Sequence, residues 1–373
     1  MSRLPGLDLL RAIAVIWVML FHSFLVGGLG PDFAWLSRFG WMGVDIFFVL
    51  SGFLIGRQVL APLARGERLS FAAFYSRRAW RIVPAFAVVL AIYVAFPALH
   101  EADGMAPWWQ FATFTMNLLV HYDTQAAFSH AWSLCVEEHF YLVFPALAWW
   151  LTRRPSVAKF AGLCVFVLLA GIAVRTGTWL HDAALDPPRN WFVEDIYYPT
   201  WNRLDGLLAG VVLATLSVYR PALWARMGER ANAFLVIGLL MMALAFWLFR
   251  ERTGLLGNSI GWPVLSAAIA CLVVAGASTR SWIGRWHVPG AAWIAAISYS
   301  LYLSHKLVFH AVDLQFGQWL QDRGLIAFAV YALATLAGGA LLHYAVERPF
   351  LQLRARREST RRSAAASGEP VTA

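Results

Sequence analysis

Apolar residues in this chain do not recur at amphipathic spacing. They form uninterrupted runs of about 20 residues, the length that crosses about 30 Å of hydrocarbon at 1.5 Å per residue. Ten runs stand out, at roughly 7–27, 38–60, 82–99, 132–151, 160–180, 199–219, 234–250, 260–278, 291–310 and 325–345. The stretch 108–121 (WWQFATFTMNLLVH) is apolar but short, which predicts a re-entrant or interfacial piece. The pattern predicts an all-α polytopic membrane protein: about ten transmembrane helices plus that one short segment, in a membrane domain over 1–350. Beyond it, LQLRARRESTRRSAAASGEPVTA loses the apolar runs, which predicts a disordered basic cytoplasmic tail over 351–373. No repeat and no second domain is visible, and the first run reads as a retained span rather than a cleaved leader.

Charge placement tests the number of crossings. With ten crossings and a cytoplasmic N-terminus, most of the 30 Lys and Arg fall inside: Arg3, those from Arg57 to Arg81, Arg153 to Lys159, Arg220 to Arg230, Arg280, Arg285, and those from Arg348 onward. Arg38, Arg189, Arg250, Arg252 and Arg323 fall outside. Counting 108–121 as a crossing would invert the Arg153/Arg154/Lys159 loop and break the rule. Composition agrees: 60% hydrophobic and 14% charged is too apolar for a soluble domain, and 19 Trp suit interfacial belts. The net charge of +9 follows the loops and the tail, so nucleic acid is not implied. Cys135, Cys164 and Cys271 form no spacing motif, and no metal site is expected.

The informative residues are the ionisable ones inside apolar runs: Arg11, Asp45, Glu137, Glu138, Arg175, Arg203, Asp205 and Lys306, with His22 and His305. At about 2.5–3.5 kcal/mol each when unpaired, eight charges would cost on the order of 20 kcal/mol, so they must pair or line water. The topology puts His22, His305, Asp45, Glu138, Arg203 and Asp205 in the outer half of the membrane, a shared layer that points to a site. Arg11 and His22 lie about 16 Å apart on one helix face, a separation comparable with a phosphopantetheine arm. The plainer reading pairs Arg11 with Asp8 and makes His22 an interior histidine. Glu138 shares a face with Tyr141 at i+3, and Tyr302 shares one with His305. Asn202, Arg203 and Asp205 occupy one turn, where an internal or cross-helix salt bridge is the competing reading. Arg77, Arg78 and Arg81 form a fork that suits phosphates, or ordinary positive-inside charge.

The strings LDLLRAIAVIWVMLFHS, GVDIFFVLSGFLIG, FYSRRAWRIVP, HAWSLCVEEHFYLVFP, NRLDGLLAG, ISYSLYLSHK and VERPF occur in this order between about residues 4 and 352. Together they resemble the acyltransferase-3 family of integral membrane O-acyltransferases. Its Arg-ten-residues-His motif falls on Arg11 and His22, its loop arginines on Arg77, Arg78 and Arg81, and its WSLxxE glutamate on Glu138. His139 and Ser304 depart from the usual residues, a difference that bears on acceptor specificity. The resemblance implies an acyl-CoA (acetyl-CoA) co-substrate, no permanently bound cofactor, and a carbohydrate acceptor such as an exopolysaccharide, O-antigen or lipid-linked glycan. It also implies a bacterial inner membrane with both termini cytoplasmic.

The expected mechanism has Arg77, Arg78, Arg81 and Arg11 holding the coenzyme's phosphates and His22 acting as general base, or less directly as acyl carrier. Glu138 or Asp45 would orient the imidazole, Arg203 or Tyr302 would donate to the oxyanion, and Asp205 and His305 belong to the same layer. A proton-coupled transporter or a non-catalytic subunit of a glycan export complex are the alternatives; no inverted repeat supports the transporter.

Overall fold

The computed structural model describes residues 4–367, with side chains to residue 360. Every expected span coincides with a helix: α1 (Pro5–Phe21), α2 (Gly43–Ala64), α3 (Phe71–Ala95), α4 (Trp132–Arg153), α5 (Val157–Leu185), α6 (Leu204–Tyr219), α7 (Ala231–Leu248), α8 (Trp262–Gly276), α9 (Ala291–Leu320) and α10 (Leu325–Leu342). Among the described residues, seven helical segments are long and apolar enough to cross a membrane, and α6 makes an eighth if it is joined to Pro221–Glu229, to which it bends by 110°. α4 and α9 fall short of that measure. They carry the polar load, Glu137, Glu138 and His139 on one and Ser298, Ser300, Ser304, His305 and Lys306 on the other. The chain is a multi-pass all-α membrane protein.

The segment 108–121 holds a five-residue helix, Trp108–Ala112, followed by turns. At 1.5 Å per residue such a helix spans about 8 Å, so it cannot cross. The tail differs from expectation: Arg348–Ser367 is helical (α11), where disorder is expected from 351 onward. Its Arg- and Ala-rich sequence has high helix propensity, and Arg354 pairs with Glu358 one turn on at 3.6 Å. Residues 368–373 lie outside the described residues.

Contacts divide the chain into two compact units. The first contains residues 1–69 and 100–298; the second contains residues 70–99 and 299–373. In the first, α2 is the central helix. It runs antiparallel to α1, since a Cβ on Gly43 would meet Val18 at 2.9 Å while one on Gly40, just before α2, would meet Phe21 at 2.8 Å. It runs parallel to α6, and the two interlock through small residues: Gly52 and Gly56 of SGFLIG face Gly210 and Ala214. A Cβ on Gly210 would meet the Phe53 amide nitrogen at 2.6 Å and the Val49 carbonyl closer still. Without a hydrophobic drive between helices in lipid, such close backbone approach supplies the dispersion contacts that join them. The seam fixes the register that sets Asp45, early in α2, beside the residues that open α6.

In the second unit, α3 and the end of α10 meet at Glu347. This carboxylate is fully buried, accepts from the Ser300 hydroxyl at 2.7 Å and from His343 Nδ1 at 2.9 Å, and forms an ion pair with Arg81. His343 and Glu347 lie on a π-helical turn, which brings both side chains inward at once.

Candidate active site

α1 ends at Phe21, and the chain tightens into a 3₁₀ turn, His22–Val26, that stops at Gly27 with φ of 86°. His22 therefore sits at the helix terminus, half-buried, at the level of the start of α2. Across from it stands a second imidazole, His130, with ring centroids 6.4 Å apart. His130 is 2% exposed and precedes α4 by one turn. Phe128 holds it there: its φ of 56° is rare for a bulky residue, its amide donates to Glu101 at 3.1 Å, and its ring packs edge-on against His130. Strain of this kind persists where the surroundings over-determine it, here between Glu101 and the stacked Phe111 ring. His130 opens the string HAWSLCVEE, yet spacing within a helix gives no reason to single it out.

α4 carries the acidic pair. Tyr141 donates to Glu137 at 2.6 Å, and Ser51 on α2 lies 2.5 Å from the same phenol oxygen. Since the tyrosine hydrogen goes to Glu137, Ser51 donates, and a Ser51–Tyr141–Glu137 chain results. The i+3 spacing expects Tyr141 beside Glu138; the bonded carboxylate is the one at i−4. Glu138 is half-buried on the next face. His139 Nδ1 contacts the Thr200 hydroxyl at 2.7 Å, and the fully buried Asn117 donates to that hydroxyl at 2.8 Å.

The charges that open α6 are engaged in pairing. Arg203 bonds Asp45 at 2.9 Å and the Tyr197 carbonyl at 3.2 Å, while its guanidinium stands 3.8 Å from the Trp262 ring centroid and 4.5 Å from that of Tyr197. Asp205 is bound by Arg175 of α5 at 2.8 and 3.2 Å, and Arg175 also donates to the carbonyls of Asn202 and Asn258 at 2.9 Å each. Both pairs are cross-helix, so Arg203 and Asp205, two positions apart, are joined to different helices and not to each other. These contacts make Arg203 and Asp45 each other's buried partners, whatever further part they take as the oxyanion donor and imidazole orienter expected from the sequence. Desolvation makes either partner costly to lose, which is the physical reason the four charges close on themselves.

A cation that sequence reading leaves in a loop joins the same aromatic wall. Arg252 lies 5.0 Å from the centroid of the Phe21 ring, which adjoins His22 in sequence, and 4.6 Å from that of Tyr197.

In the second unit, His305 is fully buried, and its Nδ1 donates to the Tyr302 carbonyl at 2.8 Å, which leaves Nε2 as the acceptor nitrogen. Tyr302 and Lys306 are buried beside it. Arg77 and Arg78 are half-buried on α3, whereas Arg81, expected as their equal, is neutralised by Glu347. Arg11 is half-buried on α1, three turns below His22.

Comparison with known proteins gives the family. Relatives include the peptidoglycan O-acetyltransferase OatA of Listeria monocytogenes, 28% identical over 333 residues, covering 81% of this chain and 48% of that protein. They also include the O-acetyltransferase OatA of Staphylococcus aureus, 27% identical over 356 residues, covering 89% of this chain and 54% of that protein. The chain thus spans about half the length of the curated relatives it matches. No solved structure matches it. The family model described as an acyltransferase domain matches residues 4–344, nearly the whole chain, and the chain belongs to that acyltransferase-3 family.

Proposed function

We propose that the chain is a membrane O-acetyltransferase that moves an acetyl group from acetyl-CoA to a hydroxyl of a surface or lipid-linked carbohydrate. Membership of the family supports the reaction class, and the acetyl group is the one named for its relatives. The observation that carries the reading is His22, an imidazole at the end of α1, set beside a second imidazole. In this mechanism His22 removes the acceptor hydroxyl proton as the oxygen attacks the thioester carbonyl. The tetrahedral adduct collapses with cleavage of the C–S bond, and the thiolate takes the proton back to leave as free thiol. Glu138 stabilises the imidazolium as it forms, the role an orienting carboxylate plays elsewhere. Arg77 and Arg78 contact the coenzyme's phosphates, a task their paired guanidiniums suit. The positive-inside distribution supports a bacterial inner membrane with cytoplasmic termini.

The test is release of free thiol from acetyl-CoA by membranes containing the protein, with and without acceptor glycan. Acceptor-dependent thiol release with matching O-acetyl ester on the glycan is expected. Ester formation from another donor, with acetyl-CoA untouched, overturns the donor assignment; no ester from any donor overturns the reading.

A further inference from the structure

At the C-terminal end of α5 lies a cavity of about 490 Å³, within the range of small-ligand sites. It is lined by His181 and Asp182 of α5 and by Arg189, Glu194, Asp195 and Trp201. Arg189 is committed to the lining itself, bonding Glu194 at 2.9 Å and Asp195 at 2.5 Å. Asp182 is 6% exposed, and its Oδ2 has no hydrogen-bond donor among the described residues. Trp201 is the reverse, a flat apolar face left 53% exposed.

Three carboxylates against one already-paired guanidinium make a lining rich in acceptors and poor in free donors. An anionic ligand finds no unpaired Arg or Lys among the lining residues described, and a cation, which the net acidic lining attracts, is the competitor that the test must exclude. A ligand that brings many neutral O–H and N–H donors satisfies the carboxylates, and the C–H face of a pyranose ring fits against an exposed indole. The cavity also connects to the acidic helix: Thr200, between the lining residues Pro199 and Trp201, contacts His139, the neighbour of Glu138.

We propose that this cavity is a binding site for an uncharged saccharide, with Trp201 as stacking platform and Asp182 and Asp195 as hydroxyl acceptors; its identification as an acceptor site rests on the carbohydrate-acceptor reading above. The test is calorimetric titration of the full-length solubilised protein with chitotetraose, an uncharged acetamido saccharide, against tetragalacturonate and spermidine as anionic and cationic comparators. Chitotetraose binds, and Trp201→Ala and Asp182→Asn each weaken it at least tenfold, while Trp201→Phe keeps most of the affinity. Because Trp201 is exposed, its replacement opens no core cavity, so this variant carries the test even if Asp182→Asn fails to fold. Failure of chitotetraose to bind, equal binding by Trp201→Ala, or tighter binding of either charged comparator overturns the proposal. Acetyl transfer by the wild-type protein, measured in parallel, separates the two readings: saccharide binding with no ester formed from any donor sinks the transferase reading alone, and ester formation without saccharide binding sinks this site alone.

Discussion

Arg203 at the mouth of α6 and Asp45 at the start of α2, 158 positions apart in sequence, meet at 2.9 Å in a buried ion pair capped by the Trp262 ring. The glycine seam between the two helices sets their register and therefore this contact. Breaking a buried pair by removing one partner costs about 3–5 kcal/mol, because the other charge is left uncompensated. Asp45→Asn and Arg203→Gln should each sharply lower the thermal stability of the solubilised protein. Arg203→Lys should rescue little, since the guanidinium reaches two acceptors, Asp45 and the Tyr197 carbonyl, with two different nitrogens. Wild-type stability in either Arg203 variant would show that the pair does not hold the fold.

The chain Ser51–Tyr141–Glu137 makes a second prediction. Hydrogen bonds to a charged acceptor contribute about 1.5–3 kcal/mol. Tyr141→Phe and Glu137→Ala both end the same interaction, so the double variant should lose little more stability than the worse single variant. Additive losses in a double-mutant cycle would show that the residues act separately.

The helices are legible in the sequence because hydrocarbon demands long apolar runs, and nothing else in a chain produces them so consistently. Buried charge flags Asp45, Arg175, Arg203 and Asp205 equally well, since each must be compensated. Which charge compensates which is not legible. Periodicity gives the face of a residue on its own helix, but Arg203 chooses a partner on α2 and Asp205 one on α5, by helix packing that spacing does not encode. Tyr141 shows the same limit within one helix: both i−3 and i−4 carboxylates are in reach, and the structure uses the second. His130 escapes because it sits on a strained turn outside the helical period. The tail is missed because its helix has no apolar run at all.

The seam itself can be tested by a matched pair of glycines. Gly210→Ala forces a methyl against the α2 backbone at the Phe53 nitrogen, so neither side can yield by a side-chain rotation. Overpacking of this kind costs about 1–3 kcal/mol. On α5, a methyl added at Gly162 would meet nothing within 4 Å, and Ala there gains up to about 1 kcal/mol of helix propensity. Thermal unfolding should therefore move in opposite directions for the two substitutions. A shift of the same sign in both would remove the seam from the account.

Loss of the proposed general base has a characteristic size. General-base catalysis contributes about 10²–10⁴ in rate. His22→Ala should lower acetyl transfer by that factor while the protein still inserts and keeps its unfolding temperature, because His22 is half-buried at a helix end. More than about a tenth of wild-type activity in His22→Ala would exclude the role. His130→Ala, by contrast, removes a 2% exposed ring and should lower stability as well as rate.

The three loop arginines should separate into two classes. Arg81 is bound to Glu347, which also accepts from Ser300 and His343, so Arg81→Ala leaves a fully buried carboxylate without its cation. Its expected signature is lost stability, with KM for acetyl-CoA in the surviving folded protein little changed. Arg77 and Arg78 are instead the phosphate contacts of the proposed mechanism. Arg78→Ala should raise KM for acetyl-CoA about tenfold or more, the order expected when a charge-assisted contact of about 1.5–3 kcal/mol is lost, and leave KM for the acceptor nearly unchanged. Steady-state kinetics with each substrate varied in turn distinguishes the classes. Equal rises in both KM values for Arg78→Ala, or a donor-selective rise for Arg81→Ala, would reverse the assignment of phosphate binding and scaffold within this loop.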